Sequence, residues 1–149
     1  MINNDIAIIL VAPQLGENIG ASARAMKNFG LKDLRIVAPR DGWPNKKAES
    51  MSVGAIDIIN QAKIFSSIED AVSDLSYIYA TTGVVRAINK NYVLSRNLKQ
   101  DIDSNYSIGI MFGRENCGLN NHEMTYANKI LVIDTDKNFT SLNIAHAVS

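Results

Sequence analysis

The sequence has little that could staple it covalently or through a metal. It holds one cysteine, Cys117, and two histidines, His122 and His146, in 149 residues. One thiol excludes an internal disulfide framework and any cysteine-based zinc site. Two separated imidazoles make a histidine site improbable, so no metal is expected. No apolar run approaches the roughly 18 residues of a membrane span, and Met1 to Asp5 lack the basic start of a signal peptide. Fifteen basic and fifteen acidic side chains cancel, so no whole-molecule field gathers nucleic acid. No internal repeat and no low-complexity tract is present. Together these absences imply a cytoplasmic protein with no membrane partner.

What is present fits one soluble domain. The length is that of a single domain, and 46% apolar with 20% charged residues is the balance of an average globular protein. A chain of this size buries about two thirds of its unfolded surface, which argues against intrinsic disorder. The charge is unevenly spread. Arg24, Lys27, Lys32, Arg35, Arg40, Lys46 and Lys47 face only Asp33 and Asp41 over the same stretch. Arg86, Lys90, Arg96 and Lys99 form an acid-free segment that includes Tyr92. Either these are solvated charges scattered over the surface, or they are two basic patches meeting a polyanion.

The continuous apolar run Ile6–Val11 reads as a strand buried on both faces, and Leu34–Ala38, Ile64–Phe65, Tyr77–Ala80, Tyr106–Phe112 and Ile130–Ile133 read as further strands. Between them lie helical patterns. Asn18–Phe29 has apolar residues at spacings of three and four, with Asn18 as cap and Gly30 as terminator. Lys46–Asn60 is helical in parts and interrupted by Gly54. Ser66 with Glu69 forms a capping box opening Ile68–Leu75, and Asn120 with Glu123 opens a short helix to Ala127. Thr81–Asn105 reads as irregular and polar. Ser141–Ser149 begins an apolar helix that stops after about two turns, too short to be stable alone, so the chain is expected to be a trimmed domain. Alternation of strands and helices predicts an α/β fold with a mostly parallel sheet.

Three clusters carry the chemistry. Asn18-Ile19-Gly20-Ala21-Ser22-Ala23-Arg24 sits where the first strand turns into a helix, the ligand edge of an open α/β sheet. It lacks the G-x-G-x-x-G spacing of a dinucleotide fingerprint, and its small residues permit close approach of another backbone. A tightly packed helix with a surface arginine is the plainer reading. Phe112-Gly113-Arg114-Glu115-Asn116-Cys117-Gly118-Leu119 follows a buried strand. Its glycines fit either a backbone-lined pocket or an ordinary connection, and Cys117 fits a small buried thiol better than a nucleophile. Thr140-Ser141-Leu142-Asn143-Ile144-Ala145-His146-Ala147-Val148 opens a helix, where Ser141 and Asn143 offer side-chain oxygens beside free N–H groups or simply cap. His146 reads as a packing residue.

In combination the order and spacing of these clusters are specific. Asn-x-Gly-x-x-x-Arg, then Phe-Gly-x-Glu-x-x-Gly-Leu, then Ser-Leu-Asn-x-Ala-x-Ala-Val resembles the three motifs of the SpoU (TrmH-like) branch of the SPOUT methyltransferases, over Ile6 to Val148. The run Asn18–Leu31 and Arg114 within Phe-Gly-Arg-Glu look most like the TrmJ-type tRNA 2′-O-methyltransferases. The resemblance implies a sheet ending in a deep trefoil knot, with the final helix truncated here, and residues 1–149 as the catalytic domain without its C-terminal extension. It implies S-adenosylmethionine as methyl donor, S-adenosylhomocysteine as product, and a tRNA substrate methylated on the ribose at anticodon-loop position 32, on cytidine or uridine. It implies a homodimer and no DNA partner. Carried onto this sequence, donor binding falls to Thr81, Thr82, Gly83, Gly113, Glu115, Gly118, Leu119, Ile133, Ser141, Leu142 and Asn143. Arg24, Asn18 and Ser141 become catalytic, Glu115 fixes loop geometry through Asn18 or backbone amides, and Arg24 of one subunit reaches the donor of the other.

A guanidinium stays protonated at neutral pH and makes a poor base, so Arg24 is expected to clamp a phosphate and stabilise the developing alkoxide. Arg24, Arg86, Lys90 and Tyr92 are the expected RNA contacts, Tyr92 by stacking. Rival readings are a ribosomal RNA 2′-O-methyltransferase of the same fold, a non-catalytic RNA-binding paralogue, and a generic nucleotide-binding protein, the last weakened by the missing glycine fingerprint.

Overall fold

The apolar runs become six strands of a seven-stranded sheet, five of them central and Ile64–Phe65 at one edge. The computed structural model describes residues 6–83 and 90–133. The strands are β1 (Ala7–Val11), β2 (Asp33–Val37), β3 (Lys63–Phe65), β4 (Tyr77–Thr82), β5 (Tyr92–Leu94), β6 (Ile108–Phe112) and β7 (Lys129–Val132). Their spatial order is β3-β2-β1-β6-β4-β7-β5, and all six pairings are parallel. The helices are α1 (Gly16–Asn28), α2 (Lys46–Met51), α3 (Ile56–Asn60), α4 (Ile68–Ala71), α5 (Leu98–Asp101) and α6 (Asn121–Met124).

Side chains alternate across the strands with the period of two that a pleated sheet imposes. Ile6, Ile8, Leu10, Leu34, Ile36, Tyr79, Ile110, Phe112 and Leu131 meet α1, α2, α3 and Leu98 on one face. Ile9, Val11, Val37, Ile78, Ala80, Met111, Ile130 and Val132 meet α4, Leu119 and α6 on the other. Parallel crossovers have one hand, and the layers obey it. The chain moves from β1 to β2, and from β5 back to β6, across the first face. It moves from β3 to β4, and from β6 to β7, across the second. Two late insertions result: β6 enters between β1 and β4, and β7 between β4 and β5.

Local sequence explains most boundaries. α1 ends where Gly30 takes a positive φ of 74°. Gly54 (φ 80°) separates α2 from α3. Asn120 and Glu123 form the expected capping box on α6. Other expectations are corrected. Asn18 does not cap α1: the helix starts two residues earlier, Leu15 holds the cap position, and no side chain there closes it. Ser67 rather than Ser66 caps α4, accepting from the Asp70 N–H (3.2 Å), and that helix stops at Ala71. The stretch read as irregular contains β5, a 3-10 turn (Ser95–Asn97) and α5. Three residues are too few to show a period; β5 exists because β7 supplies its hydrogen-bond partners.

Two polar clusters tie layers together. Arg35, 4% exposed on β2, gives its fork to Asp33 and Asp74 and a further N–H to the Ala71 carbonyl, fastening α4 to the sheet. The Tyr79 hydroxyl donates to Asp101 (2.6 Å), whose other oxygen accepts from Lys129 (2.7 Å). This links β4, α5 and β7. Burial and the Asp101 carboxylate push the Tyr79 phenol pKa upward. The expected knot, the final helix, Ser141, Leu142, Asn143 and Arg86 lie outside the described residues.

Candidate active site

In a parallel sheet every strand leaves at the same edge, and ligands gather where neighbouring connections depart to opposite faces. Here that point lies between β1 and β6, because β1 continues into α1 on one face and β6 leads to α6 on the other. The first two motifs flank this crevice.

Glu115 closes it. Its carboxylate accepts from the Gln14 N–H (2.9 and 3.2 Å), the Leu15 N–H (3.0 Å) and the Asn18 side-chain amide (3.3 Å). A loop carboxylate thus supplies the cap that α1 lacks, and a negative charge meets the positive end of the helix. Asn18 is buried, and its carbonyl accepts from the Ser22 hydroxyl (2.8 Å).

The neighbouring residue faces the other way. The Arg114 guanidinium meets Glu123 in two parallel bonds of 2.9 Å. Glu123 also accepts from the Asn120 N–H (2.8 Å). Burial opposes its charge, but Arg114 and the Asn120 amide prevail and hold its pKa below the usual carboxylate range. The hydrogen bond from Gly118 N–H to the Arg114 carbonyl (2.8 Å) folds the loop back on itself. A Cβ on Gly113 would stand 2.2 Å from Gly118 C and Leu119 N, so only glycine permits this closure. The loop is therefore fixed from two sides, by Glu115 to α1 and by Arg114 to α6. The Asn120–Glu123 spacing was legible in the sequence; nothing in spacing pointed to Arg114 as a partner nine residues away.

Small residues in the first motif do allow close approach. A Cβ on Gly20 would lie 2.4 Å from the Ala48 carbonyl, so α2 presses directly on α1. Arg24 is exposed on the α1 stripe shared with Glu17, Ala21 and Asn28 and makes no ion pair or hydrogen bond among the described residues. It stands six residues, about 9 Å along the axis, from Asn18. Within one chain Asn18 and Glu115 come together, and Arg24 stays outside the crevice.

The other described residues expected to hold the methyl donor lie at the same edge. Thr81 and Thr82 end β4, with the Thr81 hydroxyl donating to the Met111 carbonyl (2.8 Å) and the Thr82 carbonyl accepting from Ile133 N–H (2.9 Å). Gly83 follows, exposed, and a Cβ there would meet nothing within 4 Å. Ile133 and Leu119 are buried. Lys90 and Tyr92 are not at this edge. Lys90 donates to the Ala127 carbonyl (2.8 Å) where β7 begins, and Tyr92, 55% exposed, starts β5 opposite Ile130. Among the described residues no group of three or more His, Cys, Asp or Glu could hold a metal, and no helix is long and apolar enough to cross a membrane.

An open parallel sheet with two late strand insertions and a glycine-closed loop at its switch point defines an α/β protein of the class whose ligands gather at the strand exits. Comparison with known proteins narrows this class. The model of the SpoU rRNA methylase family matches residues 5–149, and the chain belongs to that family. It is 34% identical over 148 residues to the tRNA (cytidine-2′-O-)-methyltransferase TrmJ of Methanocaldococcus jannaschii, covering 97% of this chain and 64% of that protein. It is similar to the crystal structure of TrmJ from Z. mobilis ZM4, with a TM-score of 0.83 and 45% identity over 95% of this chain and 64% of that one. A probable methylase family protein from Haemophilus influenzae Rd KW20 superposes with a TM-score of 0.88 at 28% identity, covering 97% of this chain and 63% of that one. The chain spans 57–64% of the length of the curated relatives it matches.

Proposed function

We propose that residues 1–149 form the catalytic domain of a tRNA 2′-O-methyltransferase, acting as a homodimer on the ribose of cytidine or uridine at anticodon-loop position 32. The observation that carries this reading is the Glu115 junction, which joins the first and second motifs at one strand-exit crevice. Membership of the SpoU family and similarity to a tRNA (cytidine-2′-O-)-methyltransferase support the chemistry. In this reading the segment after β7 completes a trefoil knot.

S-adenosylmethionine supplies an electrophilic methyl group and leaves as S-adenosylhomocysteine. The residues present fit it. β4, β6 and β7 leave the sheet at one edge, where Gly83 is open to solvent and Gly113 and Gly118 shape the loop after β6. The Thr81 hydroxyl is already engaged by Met111, so donor contacts come from main chain around Thr82, Gly83, Gly113, Gly118, Leu119 and Ile133, with Ser141, Leu142 and Asn143 completing them. The protein's part is to hold the 2′-oxygen in line with the methyl group. Asn18 and Ser141 orient the hydroxyl, and Glu115 keeps Asn18 in place. Arg24 grips the adjacent phosphate with its planar fork and stabilises the alkoxide as the hydroxyl proton passes to water. Because Arg24 lies outside its own crevice and is unpaired among the described residues, it serves the crevice of a second copy.

The test is methylation of tRNA by the wild type and Arg24→Lys, with the modified nucleotide mapped. The wild type methylates position 32. Arg24→Lys keeps tRNA binding and loses most turnover, because it retains charge without the fork. Near-normal single-turnover rates in Arg24→Lys would remove Arg24 from its role, and a wild type inert on tRNA would remove the substrate assignment.

A further inference from the structure

Resting on the tRNA reading above, we propose that Arg96 contacts an RNA phosphate flanking the reacting ribose and fixes the register of the substrate along the strand-exit edge.

Arg96 comes two residues after the end of β5, and Leu94 of that strand pairs with Val132 of β7. It therefore stands at the exit edge, beside the exits of β7 and β4, whereas Lys90 precedes the same strand at the opposite edge. Lys90 and Arg96, two of the four cations of one basic segment, are thus divided by the sheet, and of these two Arg96 is on the side of the crevice. Their engagement differs as well. Lys90 is half-buried and bound to the Ala127 carbonyl. Arg96 is exposed and has no hydrogen bond or ion pair among the described residues.

No nearby acid along the chain cancels it. The segment 90–100 contains none, and Asp101, the first to follow, is taken by Lys129 and the Tyr79 hydroxyl, an arrangement that overcomes burial and keeps the carboxylate charged. Lys129 balances that charge, so Asp101 does not cancel Arg96. β6 and β5 are three strand spacings apart, so Arg96 stands about 14 Å from the Gly113 exit. That is too far for the reacting ribose and suited to a neighbouring phosphate, for which a guanidinium fork is the matching donor.

The experiment measures binding of unfractionated tRNA by the full chain across a salt series. Variants are Arg96→Gln, Arg96→Lys and, as an equal-charge control, Lys32→Gln, an exposed cation just before β2 at the far edge. One lost phosphate contact lowers the slope of log K against log salt by about 0.7–0.9. The expected result is that loss in Arg96→Gln, with a raised KM for tRNA, a wild-type slope in Arg96→Lys and Lys32→Gln, and unchanged S-adenosylmethionine affinity in all three. An unchanged slope in Arg96→Gln, with a wild type that binds and methylates tRNA, would overturn the Arg96 assignment alone. An equal loss in Lys32→Gln would also overturn it, since the effect would then be net charge. A wild type that neither binds nor methylates tRNA would overturn both readings together.

Discussion

Replacing Glu115 by Gln removes one charge and almost no volume. The carboxylate answers three donors, and its Oε2 alone serves Leu15, Asn18 and the longer Gln14 contact. An amide keeps one oxygen. If it takes the Oε2 position, Gln14 N–H then faces an NH2 group 2.9 Å away instead of an acceptor. The Leu15 contact is exposed, so water replaces much of it. The loss therefore rests on one part-buried charge-assisted bond, about 1.5 kcal/mol, and on charge removed from the start of α1, about 0.5 kcal/mol. The sum, about 2 kcal/mol, lowers the melting temperature by roughly 4–8 °C for a chain of this size. Urea titration of the wild type, Glu115→Gln, Asn18→Ala and the double variant measures it. The cycle should return a coupling of about 0.5–1 kcal/mol for Asn18 with Glu115. Methylation should fall further than stability, because α1 and the loop would no longer share one crevice. Additive losses in the cycle, with a melting temperature within a degree or so of wild type, would show that Glu115 does not hold the junction.

Gly113→Ala should abolish the loop's closure, since its Cβ would meet backbone atoms at 2.2 Å that no rotamer change can move. The expected outcome is a loss of S-adenosylmethionine affinity by calorimetry with the sheet's far-ultraviolet signal retained, and unaltered affinity would refute the packing argument. Acid should destabilise the protein through Glu123 and Asp101. Their folded-state pKa values are lowered by Arg114 and by Lys129 respectively, against burial. The stability they contribute is full above the unfolded values of about 4.3 and 3.9 and is lost as pH falls through the folded ones. Urea midpoints measured from neutral pH downward should drop below about pH 4, and the drop should be shallower in Glu123→Gln; an identical acid limb would exclude Glu123 as a source.

The sequence by itself determined the class of the fold. Continuous apolar runs such as Ile6–Val11 demand burial on both faces, and their alternation with helical patterns leaves a parallel sheet as the solution. It also determined Gly30 as a helix end and the Asn120–Glu123 box, because those depend on neighbours within a few residues. Tertiary structure alone decided the rest. Asn18 is a natural helix cap in isolation, yet Glu115, 97 positions away, takes over the capping and draws Asn18 into the helix. β5 has no signal of its own and forms only where β7 offers an edge. Lys90 and Arg96 look alike in the chain, but three residues of strand between them send one to each side of the sheet. Local pattern reports what a segment can form, whereas pairing across the sheet sets which side chains meet, and that is a property of strand order that no single segment contains.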